Sequence, residues 1–187
     1  LRIVSAADDP AGLGISERMR SSIKSLEMAQ RNAQDGVSLV QTAEGALSEA
    51  NSNLVRMREL AIESANGTLS TSDRASLNAE FTELIAEIDR IGATTTFNGI
   101  NLLNAASNTV AIQTGVDSGQ NILVTLEDAQ AAALGLSSIV VTDVTSASAA
   151  LSVIDTAIDS VVAVRGQLGA SQNRMQSAMR SIATSVE

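Results

Sequence analysis

The chain has 187 residues and a formal net charge of −9, from 12 basic and 21 acidic side chains, with no His, no Cys and two aromatics, Phe81 and Phe97. This composition excludes disulfides, thiol nucleophiles, Cys/His zinc sites and Ser-His-Asp or Cys-His catalysis. The acidic balance and single lysine, Lys24, argue against nucleic acid and anionic membrane surfaces. The core must be built from Ala, Leu, Ile, Val and Met, and no uninterrupted apolar run reaches the roughly 18 residues of a membrane span. Glu80, Glu83 and Glu87 fall at i, i+3, i+7 on a polar helical face, which reads as solvated acid and not as a catalytic carboxylate pair. No enzyme activity, cofactor or metal is expected.

A first helix is predicted from Pro10 to Ala65. Asp9 suits its N-cap and Pro10 its first position. An apolar residue returns every seventh place at Met19, Leu26, Ala33, Val40, Leu47, Leu54 and Ala61, six heptads in all. Ala29, Ala43, Ala50 and Met57 fill the second seam position, which Ser22, Gly36 and Ser64 interrupt. A period of 3.5 residues makes a helix that must lie along other helices, here about 80 Å long. Asn66-Gly67 offers a left-handed C-cap. The Asn66-Gly67-Thr68 glycosylation pattern is better read as this helix end.

A second helix is predicted from Ser72 to Ile91, capped by Ser70 or Ser72 and ended by Gly92, with the stripe Leu77, Phe81, Leu84, Ile88, Ile91. It should fold back antiparallel on the first. Thr94 to Gly99 reads as a turn through Asn98-Gly99. Val110–Gln113 and Asn121–Leu126 read as a β-hairpin. The last helix starts near Thr145 or Ser146, with the stripe Leu151, Ile154, Ile158, Val161, Leu168, Met175, Met179, Ile182, Val186. Arg165 and Gln172 sit at its seam, where polar residues set register. The fold class is mainly α: an elongated antiparallel helical bundle or coiled coil, two long helices and one shorter, with a small β-hairpin. Residues 1–187 form one rod domain: 1–103 the N-terminal helices and turn, 104–143 the hairpin and connection, 144–187 the C-terminal helix.

Several ordered stretches resemble bacterial flagellin. They are Leu1 to Arg20, Arg31-Asn32-Ala33-Gln34-Asp35-Gly36, Gln41 to Leu47, Leu54-Val55-Arg56-Met57-Arg58-Glu59-Leu60-Ala61, and Ser64-Ala65-Asn66. Glu87-Ile88-Asp89-Arg90-Ile91, Phe97-Asn98-Gly99-Ile100 and Leu168 to Met175 follow in the same order. The resemblance covers nearly the whole chain and implies the D1 core of a filament subunit, without the D0 terminal segments or large outer domains. The start, Leu1-Arg2-Ile3-Val4-Ser5, does not read as a signal peptide, and both ends read as cut from something longer. Lacking D0, the piece is expected to stay soluble and monomeric.

The resemblance also implies partners and surfaces. Partners are other flagellin subunits, the flagellar export chaperone, the cap protein and the flagellin-sensing Toll-like receptor of vertebrates; neither nucleic acid nor membrane is expected. Location is the extracellular filament, reached by the flagellar type III export route without a cleaved signal. The receptor surface maps onto Arg56, Arg58, Glu59 and Leu60 of helix one and Glu80 of helix two, and the same patch reads as a subunit contact with Leu60 part of the packing. Arg56 and Leu60, at i and i+4, are expected to form charge beside an apolar spot. The turn Phe97, Asn98, Gly99 is expected to tune subunit contacts. Rival readings are a cell-surface adhesin on a flagellin-like scaffold, a hook–filament junction protein and an intracellular coiled-coil regulator.

Overall fold

The computed structural model describes residues 10–104 and 108–186. Asp9, expected to cap the first helix, and the opening motif before Pro10 lie outside them. Among the described residues the elements run α1 (Pro10–Ser64), α2 (Thr71–Thr94), β1 (Thr96–Phe97), β2 (Ile100–Asn101), β3 (Asn108–Gln113), β4 (Asn121–Leu126) and α3 (Val144–Val186). The architecture is mainly α. Two compact units divide it: one takes α1 up to Ser38, Ala111–Val124 and α3 from Ser171, and the other takes Leu39–Val110 and Thr125–Ala170.

The seam of α1 is buried at every heptad position from Ala29 to Ser64. Nearer its start the pattern has no cover: Met19 is 62% exposed, Ser22 is exposed and Leu26 is half-buried. The interruptions in the seam each have a packing role. A Cβ on Gly36 would lie 2.6 Å from the Met175 sulfur, so glycine admits α3's methionine in the first unit. The Ser64 hydroxyl, fully buried, donates to the Val141 carbonyl.

The end of α1 departs from expectation. Neither Asn66 nor Gly67 takes a positive φ, so no left-handed cap forms. The guanidinium of Arg74 supplies the donors instead, to the carbonyls of Ser64 (2.9 Å), Asn66 (2.8 Å) and Leu69 (2.9 Å). A cation at a helix C-terminus also meets the negative end of the dipole.

At the start of α2, Ser70 and Asp73 form a reciprocal capping box: the Asp73 amide donates to Ser70 Oγ, and the Ser70 amide to the Asp73 carboxylate. The Ser70 hydroxyl, which donates to Asp73 Oδ2 at 2.7 Å, and then the Ser70 amide hold the Asp73 carboxyl below the usual aspartate range. Gly92 does not end the helix, which continues to Thr94. A Cβ there would meet Gln130 Cγ at 2.8 Å and the Leu103 carbonyl at 3.3 Å, so this glycine serves close approach. Phe81, Ile88 and Ile91 bury the apolar face.

The Thr94–Gly99 segment is more than a turn. β1 and β2 pair antiparallel, Thr96 with Asn101 and Phe97 with Ile100. Asn98 (φ 48°) and Gly99 (φ 78°) both lie in the left-handed region, the type I′ geometry that closes a two-residue hairpin. The second hairpin pairs β3 with β4. The connection over 114–120 is too short for a parallel crossover, so the pair is antiparallel. β4 alternates buried Ile122, Val124 and Leu126 with exposed Asn121 and Leu123.

Between β4 and α3 the chain is irregular and runs along α2. The Asp89 carboxylate accepts from the Ala131 amide (2.7 Å), and the Asn78 amide oxygen from the Val141 amide (2.9 Å). α3 begins at Val144 because Asp143, not Thr145 or Ser146, is its cap: Asp143 Oδ1 accepts from both of their amides at 2.9 Å. The Ser146 amide and hydroxyl, in that order, lead the causes that hold this carboxyl below its ordinary range. Every seventh residue of α3 is buried at Ala147, Ile154, Val161, Leu168, Met175 and Ile182. The expected stripe omitted its alanines, Ala147, Ala150 and Ala157, and included Leu151 and Ile158, which are half-buried.

Within each unit α1 and α3 are antiparallel. In one, Gly36 faces Met175 and a cavity places Ser22 and Leu26 beside Ser185 and Val186; in the other, Glu44 faces Arg165 and Arg58 faces Asp155. α2 also opposes α1, since Arg56 reaches Glu80, and a cavity near 320 Å³ joins Ala46 and Asn53 to Glu87 and Thr94. Judged by length and mean hydropathy, α3 could cross a membrane, although no uninterrupted apolar run exists. Val153, Val162 and Val164 lie off its buried seam, and Val162 is 53% exposed. Only 28% of its most apolar stretch is buried within this chain.

Candidate interaction surface

Heptad geometry decides what α1 shows to solvent in the second unit. Leu54, Met57 and Ala61 occupy the seam and are fully buried, so Arg56 and Glu59 point away from it. Arg56 stands between two acids. Its Nε donates to Glu80 Oε1 of α2 at 2.8 Å and its Nη1 to Glu59 Oε2 at 3.0 Å. The Glu80 hydrogen bond, followed by that of Glu59, raises the Arg56 pKa further above its already high ordinary value. All three side chains stay about half-exposed. Exposed ion pairs contribute little to stability because water screens them and long side chains lose entropy. The triad's consequence is therefore surface chemistry: one guanidinium and two carboxylates held in fixed relation on adjoining helices.

Arg58 leaves that triad. It turns to α3 and binds Asp155 at 2.7 Å, which raises its own pKa. Asp155 was absent from the expected surface; a partner 97 residues away leaves no local signal. Leu60 takes the packing role. It is 0% exposed, so it adds no apolar surface beside Arg56. Buried Leu39 and Leu60 and half-buried Ala46 and Asn53 mark a second stripe beside the α1 seam. A helix packed between two neighbours needs a wider apolar face than a two-stranded seam. Exposed apolar side chains on this part of α1 are Val55 (44%) and Ile62 (50%).

The turn residues form the tip of the β1–β2 hairpin, with Asn98 and Gly99 exposed and Phe97 half-buried. A cavity of about 340 Å³ in the second unit is lined by Leu47, Glu127, Asp128, Val161 and Val164. Among the described residues no three or more His, Cys, Asp or Glu gather to hold a metal.

In the second unit α2 and α3 each lie antiparallel to α1 with half-exposed ion pairs across the contacts, which defines a helical-bundle class of protein. Residues 1–109 match the family model described as the bacterial flagellin N-terminal helical region, and residues 151–187 match the C-terminal helical region. The chain belongs to the bacterial flagellin family, whose members are extracellular subunits that polymerise into the flagellar filament.

It is 46% identical to a flagellin of Halalkalibacterium halodurans over 97% of this chain and 68% of that protein. Identity is 50% to a flagellin of Salmonella muenchen, over 76% of this chain but 28% of that one. The solved structure of Bacillus cereus flagellin is similar with a TM-score of 0.71 at 32% identity, covering 81% of this chain and 88% of that. A Vibrio parahaemolyticus structure described as a flagellar hook-associated protein reaches a TM-score of 0.79 at 17% identity, covering 97% and 95%, which shows a shared fold alone.

Proposed function

We propose that this chain supplies the helical core through which a flagellin packs against other flagellin subunits, and that the Arg56–Glu59–Glu80 triad is a recognition surface of the unpolymerised molecule. The observation that carries the reading is the triad itself, charged, half-exposed and fixed across two helices. Its reader in the free subunit is the vertebrate flagellin-sensing Toll-like receptor, and in the filament a neighbouring subunit. Arg58, paired with Asp155, belongs to the flank of this surface. Leu60 supports it from below as packing. The Phe97–Asn98–Gly99 hairpin adjusts subunit contacts. Residues 1–187 act as one D1-like core with no catalytic role and no use of nucleic acid or membrane. The export chaperone and the cap protein act on the subunit along the flagellar type III route.

Two measurements test this. This chain, joined at both ends to the terminal segments of the host's flagellin and expressed in a host deleted for that flagellin, restores filaments visible by electron microscopy; bare cells with abundant exported subunit refute the structural role. Purified chain activates reporter cells bearing the receptor, and Arg56→Ala or Glu80→Gln lowers that response without loss of helicity. An unchanged dose–response for both variants removes the triad from recognition.

A further inference from the structure

The sequence contains two Asn-Gly pairs, Asn66-Gly67 and Asn98-Gly99, and both are exposed. Glycine has no Cβ to shield its backbone nitrogen, so the asparagine before it is the residue most open to intramolecular attack. We infer that Asn98 is a site of spontaneous deamidation, reacting ahead of Asn66 because the fold ties down the Asn66 side chain by a hydrogen bond and leaves that of Asn98 without one.

At Asn66 the side-chain oxygen accepts from the Thr68 amide at 3.1 Å, and the backbone carbonyl accepts from Arg74 at 2.8 Å. Both ends of the reacting unit are held. The Asn98 side chain has no hydrogen-bond partner among the described residues. A Cβ on Gly99 would meet nothing within 4 Å. Asn98 also sits at the tip of a hairpin whose strands are two residues each. Opening this tip breaks only that short pairing.

In the reaction the Gly99 nitrogen gives up its proton and forms a bond to Asn98 Cγ. The Cγ–Nδ2 bond breaks, and the nitrogen leaves with a proton as ammonia. Water then opens the cyclic imide at one carbonyl or the other, yielding aspartate or isoaspartate. Either product adds a carboxylate at the hairpin tip. Isoaspartate also inserts a methylene into a turn that needs both central residues at positive φ, so the Thr96–Asn101 and Phe97–Ile100 pairing is lost.

The test is incubation of the purified chain at mildly alkaline pH, native and in urea, with peptide mass mapping and isoaspartate methyltransferase labelling over time. In urea the two sites react at matched rates. In the native protein Asn98 leads Asn66 by about fivefold, the ratio set by the net contribution of one hydrogen bond. Thr68→Pro, which removes the amide donor, brings Asn66 up towards Asn98. The inference is overturned if Asn66 keeps pace with Asn98 in the native chain, if Asn98 stays intact while both react in urea, or if Thr68→Pro leaves Asn66 no faster.

Discussion

Replacing Arg74 with alanine removes the group that ends α1. Three carbonyls, those of Ser64, Asn66 and Leu69, lose donors held at 2.8 to 2.9 Å. A hydrogen bond contributes about 1 kcal/mol net, and more when one partner is charged. Part exposure of Arg74 lets water replace some of this, so a loss of about 2–3 kcal/mol is expected for Arg74→Ala. For a chain of this size that lowers the melting temperature by roughly 4–12 °C. Arg74→Lys offers a point charge without the planar fork and recovers about one of the three bonds, leaving a loss of about 1–2 kcal/mol. Urea unfolding followed by helical circular dichroism reads the difference as a shift in midpoint at unchanged slope. Arg90→Ala is the control, because Arg90 pairs only with Glu87 one turn away on the exposed face of α2, and no measurable change is expected. The reasoning fails if Arg74→Ala stays within about 0.5 kcal/mol of the parent chain, or if lysine replaces arginine without loss.

Further outcomes follow from the caps and the close contacts. Ser70→Ala breaks the capping box of α2 and lowers stability by about 1 kcal/mol, read from the urea midpoint. Asp73 and Asp143 are both more acidic in the folded chain than when unfolded. Their stabilisation is therefore fully present above the unfolded aspartate pKa of about 4 and is lost as pH falls through the folded values. Urea midpoints should be flat from neutrality towards pH 5 and fall below about pH 4; constant or rising midpoints there contradict the cap assignments. Gly92→Ala gains about 1 kcal/mol of helix propensity but forces a methyl against Gln130 and the Leu103 carbonyl, so overpacking of about 1–3 kcal/mol wins or cancels. A clearly stabilised Gly92→Ala, measured the same way, would show that the 103 and 130 segments do not pack there.

Much of this protein was readable from residue order because its dominant signals are periodic and local. The heptad of α1 states helix, length and buried face at once, and burial follows it from Ala29 to Ser64. Asn98-Gly99 announced its turn because few other residue pairs accept positive φ in succession. Where inference along the chain went astray, distant groups decided the outcome. Asn66-Gly67 looks like a left-handed cap, but Arg74 satisfies those carbonyls from the next helix, so no glycine conformation is required. Gly92 looks like a stop, yet the helix runs on to Thr94 and the glycine instead admits Gln130 and the Leu103 carbonyl. Local order placed Arg56 and Glu59 outward; packing against a second helix drew Leu60 inward and sent Arg58 to Asp155. Periodicity reports which face of a helix is apolar, since that depends only on spacing along one chain. How wide the face must be, and which charge meets which, depends on the neighbours that tertiary contact brings to it.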